Sequence, residues 1–143
     1  MRTIDKIILH CTATEEGKDY AVAEIRKWHT SPPRNWSDIG YHFIIQNDEN
    51  GTIQLGRPIQ RAGAHVKGHN AKSVGIAYVG GVDKNGKAKD TMTACQEESF
   101  LKLVESLRVV FGFHLPVYGH NDFTDTKECP SFKVKKKFPQ LGV

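Results

Sequence analysis

With 143 residues, 38% of them hydrophobic and 25% charged, the chain is long enough for one domain with a real core, too short for two, and unlike a disordered segment in composition. A formal charge of +4 and a pI near 9.0 suit an anionic partner such as nucleic acid or the bacterial wall, but the excess is small, spread along the chain, and identifies neither. Cys11, Cys95 and Cys129 form an odd set without regular spacing, which excludes the disulfide framework of a small secreted domain and fits synthesis in a reducing compartment.

Met1-Arg2-Thr3-Ile4-Asp5-Lys6 turns charged before an apolar stretch of signal-peptide length develops, and no window approaches a membrane span. No signal peptide and no membrane association are expected. Ile4 to His10 reads as a buried strand around Ile7-Ile8-Leu9 and leaves His10 at its C-terminal end. In open sheets with helices, ligands tend to bind beyond such ends. Asp19 to His29 carries Val22, Ile25 and His29 at helical spacing, with Asp19 as N-cap, and Ser31-Pro32-Pro33-Arg34-Asn35 ends it. Ile39 to Gln46, the turn Asn47 to Gly51, and Thr52 to Leu55 form a hairpin.

Residues 56–72 are rich in Gly, Arg, Lys and His without periodicity and read as a long loop, which in a compact domain is usually functional or mobile. Val74 to Val79 is another apolar strand. Thr93 and Gln96 make a capping box for a helix with Phe100, Leu103, Val104, Leu107 and Phe111 on one face, closed by Gly112. Leu115 to Tyr118 is a last short strand, leading into the polar segment Gly119 to Pro130. The order β, α, β, β, β, α, β predicts a single α/β domain with a mixed central sheet flanked by helices.

The segment 119–130 offers an imidazole, a lysine and a thiol within a few residues, yet its Gly, Asn, Asp, Thr and Pro content also describes an ordinary surface loop. His10, His120 and Cys129 are one candidate zinc set, three nitrogen and sulfur ligands with room for water; the alternative is two loop histidines and a buried thiol. His65 and His69 are a rival pair at i, i+4, though Gly63 and Gly68 argue against a helix there. His29, His42 and His114 read as structural. Gly81 to Lys87 imitates a phosphate loop but lacks the required Ser or Thr. The run Lys133, Lys135, Lys136 and Lys137 reads as a solvated helix face without interleaved aromatics, so no nucleic-acid partner is expected.

Several stretches in order along nearly the whole chain are similar to the zinc N-acetylmuramoyl-L-alanine amidases: His10-Cys11-Thr12-Ala13-Thr14, Ile25-Arg26-Lys27-Trp28-His29, Asp38-Ile39-Gly40-Tyr41-His42-Phe43-Ile44-Ile45, Ser73-Val74-Gly75-Ile76 with Val79-Gly80-Gly81, and Lys127-Glu128-Cys129-Pro130-Ser131-Phe132. The resemblance implies the peptidoglycan recognition protein fold over one domain, 1–143. It implies zinc on His10, His120 and Cys129, with Tyr41 and Lys127 catalytic. His65, Lys67 and Asn70 are placed at the glycan and stem peptide, and Asp122 is either an orienting carboxylate or a loop cap. The implied substrate is bacterial peptidoglycan, cut between N-acetylmuramic acid and L-alanine by a monomeric phage or prophage endolysin made in the host cytoplasm. Two alternatives follow from the same family. Some members of the fold bind the wall without cutting it, typically lacking the cysteine ligand, which here is Cys129. A phage member also binds RNA polymerase through a longer N-terminal arm, and with Met1 so near His10 that contact is not expected here.

Overall fold

The run Ile7-Ile8-Leu9 lies at the middle of the molecule because strand β1 (Lys6–Cys11) has a parallel neighbour on each side. The computed structural model describes residues 2–142; the terminal residues Met1 and Val143 of the expected 1–143 domain lie outside them. Strands β3 (Phe43–Ile45), β4 (Ile53–Leu55), β5 (Ser73–Tyr78) and β7 (Val117–Gly119) complete a five-stranded sheet in the order β4-β3-β5-β1-β7. Only the β3–β4 hairpin is antiparallel, so the sheet is mixed, as the sequence predicts. Two strands of two residues each, β2 (Thr14–Glu15) and β6 (Gly81–Val82), pair apart from it.

Alternation along the strands divides the interior into two layers. Ile7, Leu9 and Cys11 of β1 and Val74, Ile76 and Tyr78 of β5 pack in one cluster with Phe100, Leu103, Val104 and Leu107 of helix α2 (Ala94–Phe111) and with Val134 of the short helix α3 (Val134–Lys137). On the other face, Ile44 and Val79 pack with Ile25 of helix α1 (Val22–Thr30) and Ile39. Strands covered on both faces read as continuous apolar runs, which is why β1 and β5 are legible.

The capping box forms: Gln96 N donates to Thr93 Oγ1 at 3.1 Å and Thr93 N donates to Gln96 Oε1 at 3.0 Å. Gln96 is fully buried because its Nε2 also donates to the carbonyls of Ile45 and Val79, tying the helix start to the sheet. The first helix starts later than expected. Asp19 is not its cap, since its Oδ1 accepts from the N–H groups of Tyr20 and Asn47; instead the Val22 N–H donates to Gln54 Oε1 from β4. Residues 56–72 contain no helix or strand; Ile59 packs against the α2-side cluster, while His65 lies on the other face, over Gly75 of β5. Three of the four lysines of the run are engaged: Lys133 donates to the Asn121 carbonyl, Lys135 sits over the Tyr118 ring at 4.9 Å, and Lys137 pairs with Asp90 and Glu97. No helix among the described residues is long and apolar enough to cross a membrane.

Candidate metal centre

Because Ile7, Leu9 and Cys11 face α2, the residue between Leu9 and Cys11 must face the other way. His10 therefore projects from the carboxyl end of β1 onto the α1 side of the sheet, 1% exposed. Strand β7 runs parallel beside β1 and ends at Gly119, so the next residue, His120, emerges alongside and begins a 3-10 turn, His120–Asp122. The His10 and His120 rings lie 4.7 Å apart between centroids. The chain then loops back. Asn121 N donates to the Cys129 carbonyl at 2.9 Å, and Asn121 Nδ2 donates to the carbonyls of Glu128 and Phe132, which returns Cys129 to β1. The Cys11 N–H completes the placement by donating to Cys129 Sγ at 3.1 Å.

Donor atoms of His10, His120 and Cys129 all lie within 4.8 Å of one another, a group able to hold a metal ion. They line a cleft of about 340 Å³ together with Tyr41, Lys127, His29, His65, Arg34 and Trp36. Burial, followed by the charges of His65 and His120, holds His10 well below the usual imidazole range. His120 is lowered by burial and by Lys127. Both rings are thus neutral near pH 7, the form in which imidazole binds metals. The Cys129 thiol is pushed up by the neighbouring Cys11 thiol and by burial, while the Cys11 N–H and Lys127 draw it down. Burial raises the Tyr41 phenol, so it keeps its proton.

Tyr41 reaches the cleft from the segment before β3, and Arg57 fixes that segment. Its buried guanidinium donates to the carbonyls of Asp38, Ile39 and Ala62, while the Arg57 N–H donates to the Tyr41 carbonyl at 2.8 Å. Gly40 permits the close pass of the 56–72 loop, since a Cβ there would collide with the Ala64 carbonyl. His29, read from sequence as structural, accepts the Gly40 N–H at Nδ1 (2.9 Å) and also sits in the cleft with its ring edge-on to Tyr41. Burial, then Arg34 and Arg57, lower it to about 4.

The structure thus brings His10, His120, Cys129, Tyr41 and Lys127 together. Of the three residues placed at the substrate, only His65 reaches the cleft, and both of its ring nitrogens are engaged, with His10 and Ser73. Lys67 is exposed and away from the cleft lining. Asn70 holds the loop from behind, its Oδ1 accepting from the N–H groups of His65 and Val66. Asp122 is the loop cap of the two alternatives, accepting the Gly119 N–H at 2.8 Å. His69 packs on Phe123, outside the cleft. Arg34 and Trp36, stacked at 5.6 Å, are cleft residues that sequence reading missed. An aromatic directly after a proline-rich turn, and close before Tyr41, was the available signal.

On a mixed sheet, two imidazoles, a thiol, a tyrosine and a lysine converge at the strand ends in one cleft, whose His10, His120 and Cys129 donors could hold a metal ion. Residues 1–132 match the family described as N-acetylmuramoyl-L-alanine amidase. The chain belongs to that family. It is 40% identical over 131 residues to the endolysin of Klebsiella phage KP32, covering 92% of this chain and 83% of that protein. The endolysin of Escherichia phage T7 is 38% identical over 132 residues, with the same two coverages of 92% and 83%. Among solved structures, the N-acetylmuramoyl-L-alanine amidase LysC of Clostridium intestinale superposes with a TM-score of 0.77 at 29% identity, over 99% of this chain and 87% of that one. Bumblebee PGRP-SA gives 0.79 at 27% identity, over 97% and 82%.

Proposed function

We propose that this chain is a zinc-dependent endolysin that hydrolyses the amide between N-acetylmuramic acid and L-alanine in bacterial peptidoglycan, with His10, His120 and Cys129 holding the metal. The observation that carries the reading is the convergence of those three donors within 4.8 Å in a cleft that also holds Tyr41 and Lys127. The donors fit zinc. Two neutral imidazoles and one thiol suit a borderline-soft ion, and three protein ligands leave the fourth position of a catalytic site. When bound, zinc supplies a Lewis acid that polarises the amide carbonyl and acidifies water.

The remaining work falls to the protein's own groups. The Cys11 N–H and the Lys127 ammonium stabilise negative charge on Cys129 Sγ, countering its burial. Tyr41, held protonated by burial, presents a hydrogen-bond donor to the oxygen on which charge develops as the carbonyl is attacked. Lys127, exposed at the cleft mouth, adds a positive charge on the same side. His29 cannot serve as a base at Nδ1, because that nitrogen accepts the Gly40 N–H; it fixes the Tyr41 ring instead. Arg34 and Trp36 form a wall suited to a sugar-peptide chain, one cationic and one flat apolar surface.

The test is metal content measured beside wall-lysing activity for His120→Ala and Cys129→Ser. Both properties fall together if these residues hold the catalytic ion. A variant that loses the metal and keeps full activity overturns the proposal.

A further inference from the structure

Strand alternation puts Ser73 and Gly75 of β5 on the same face as His10, because the register pairs Lys6 with Ser73, Ile8 with Gly75 and His10 with Ala77. His65, from the 56–72 loop, lies across this face. A Cβ at Gly75 would stand 2.7 Å from the His65 ring, so the glycine leaves the space that the imidazole fills. The ring is then held at both ends. His65 Nε2 lies 3.1 Å from Ser73 Oγ, and His65 Nδ1 lies 2.8 Å from His10 Nε2.

The direction of each proton follows from the far end of the chain of bonds. Ser73 Oγ donates its only proton to the His69 carbonyl at 2.7 Å. It can therefore only accept from His65, which places the His65 proton on Nε2. His65 is buried and its ring nitrogens meet only His10 and Ser73, with no carboxylate to balance a charge, so the ring is neutral and its Nδ1 carries a lone pair. That lone pair accepts from His10 Nε2–H, leaving Nδ1 of His10 as the unprotonated nitrogen. Metal-binding histidines normally give their second nitrogen proton to a carboxylate, carbonyl or water; here the acceptor is a second imidazole, itself oriented by a serine.

We propose that His65, set by Ser73, is a positioning residue that fixes the tautomer and ring orientation of His10 so that His10 Nδ1 is presented to the metal. The inference rests on the reading of His10 as a metal ligand, and it replaces substrate contact as the role of His65. His65 does not touch the reacting atoms. Its effect passes through His10.

Two measurements test it, one needing no metal. In metal-free protein at neutral pH, long-range proton–nitrogen correlation spectra report which ring nitrogen of each histidine carries the proton. Wild type should show a single Nε2–H tautomer at both His10 and His65, and His65→Ala should give a mixture at His10. Zinc affinity, by competition with a coloured chelator, should then weaken by about 10–100-fold in His65→Ala, the usual effect of removing such a partner. The side-chain oxygen of His65→Asn stands where Nδ1 stood and should recover affinity to within a few-fold. His65→Gln places its polar end toward Ser73 and should stay near the alanine variant. If His65→Ala does not fold, Ser73→Ala, which keeps the ring and removes only its partner, should break the single-tautomer pattern.

The proposal is overturned by wild-type-like zinc affinity in folded His65→Ala, by an Nδ1–H tautomer at His10 in the wild type, or by rescue with Gln and not with Asn. An unchanged zinc affinity with a raised KM would return His65 to the substrate. A wild-type protein that binds no zinc refutes the metal reading, while the spectra still decide the arrangement of the two rings.

Discussion

Arg57→Lys isolates how the segment bearing Tyr41 is held. The guanidinium, 9% exposed, donates to the carbonyls of Ile39 (2.9 Å), Ala62 (2.9 Å) and Asp38 (3.1 Å), joining the strand approach to the loop that carries His65. A lysine ammonium keeps the charge but lacks the planar fork, and from this position it can satisfy about one of the three acceptors. Two carbonyls, at least one of them only part-buried, then lose a charge-assisted bond worth roughly 1.5–3 kcal/mol each; part-buried acceptors fall at the low end, so the variant should lose about 3 kcal/mol. For a chain of this size that corresponds to a melting temperature lower by about 10 °C. The assay is thermal unfolding of both proteins in excess chelator, which keeps metal binding from adding to apparent stability. A variant melting within about 2 °C of the wild type would refute the claim that these three bonds hold the site together.

Other outcomes follow from the same geometry. Tyr41→Phe should lower kcat/KM by about 100-fold or more with bound zinc unchanged, because it removes a hydrogen-bond donor and no ligand; steady-state kinetics beside metal analysis checks this. Metal removal by chelator should abolish lysis, and added zinc should restore it in the wild type but not in Cys129→Ser, read as clearing of a wall suspension. His29 and His42 are both lowered to about 4 by burial and titrate near 6.5 when unfolded. The unfolded chain therefore binds more protons between those values, so metal-free stability should hold above about pH 6.5 and fall as pH drops toward 4, visible in urea midpoints at about pH 7 and about pH 5.

Much of this was legible because it rests on local patterns. Ile7-Ile8-Leu9 reads as a strand buried on both faces, which put His10 at its carboxyl end, and the Thr93–Gln96 box marked the start of α2 to the residue. What was not legible depended on partners distant in sequence. Asp19 looks like a helix cap, but its carboxylate is held by Asn47, and Gln54 takes over its expected place. The strands β2 and β6 are two residues each, too short for any periodicity to show. His65 sits in a glycine-rich loop without periodicity, and nothing local reveals that Gly75 clears a berth for its ring on β5. The convergence of His10, His120 and Cys129 likewise depends on β7 lying beside β1, a pairing that periodicity alone does not specify.

The bond cut, and its dependence on zinc, can be read by mass analysis of fragments from purified peptidoglycan digested in parallel by zinc-loaded and zinc-stripped protein. Zinc-dependent cleavage of the muramoyl–alanine amide should yield free muramoyl lactyl carboxyl groups and new L-alanine amino termini in the zinc-loaded digest alone. Equal release of these termini by the stripped protein, or cleavage within the glycan or between stem-peptide residues, would contradict it.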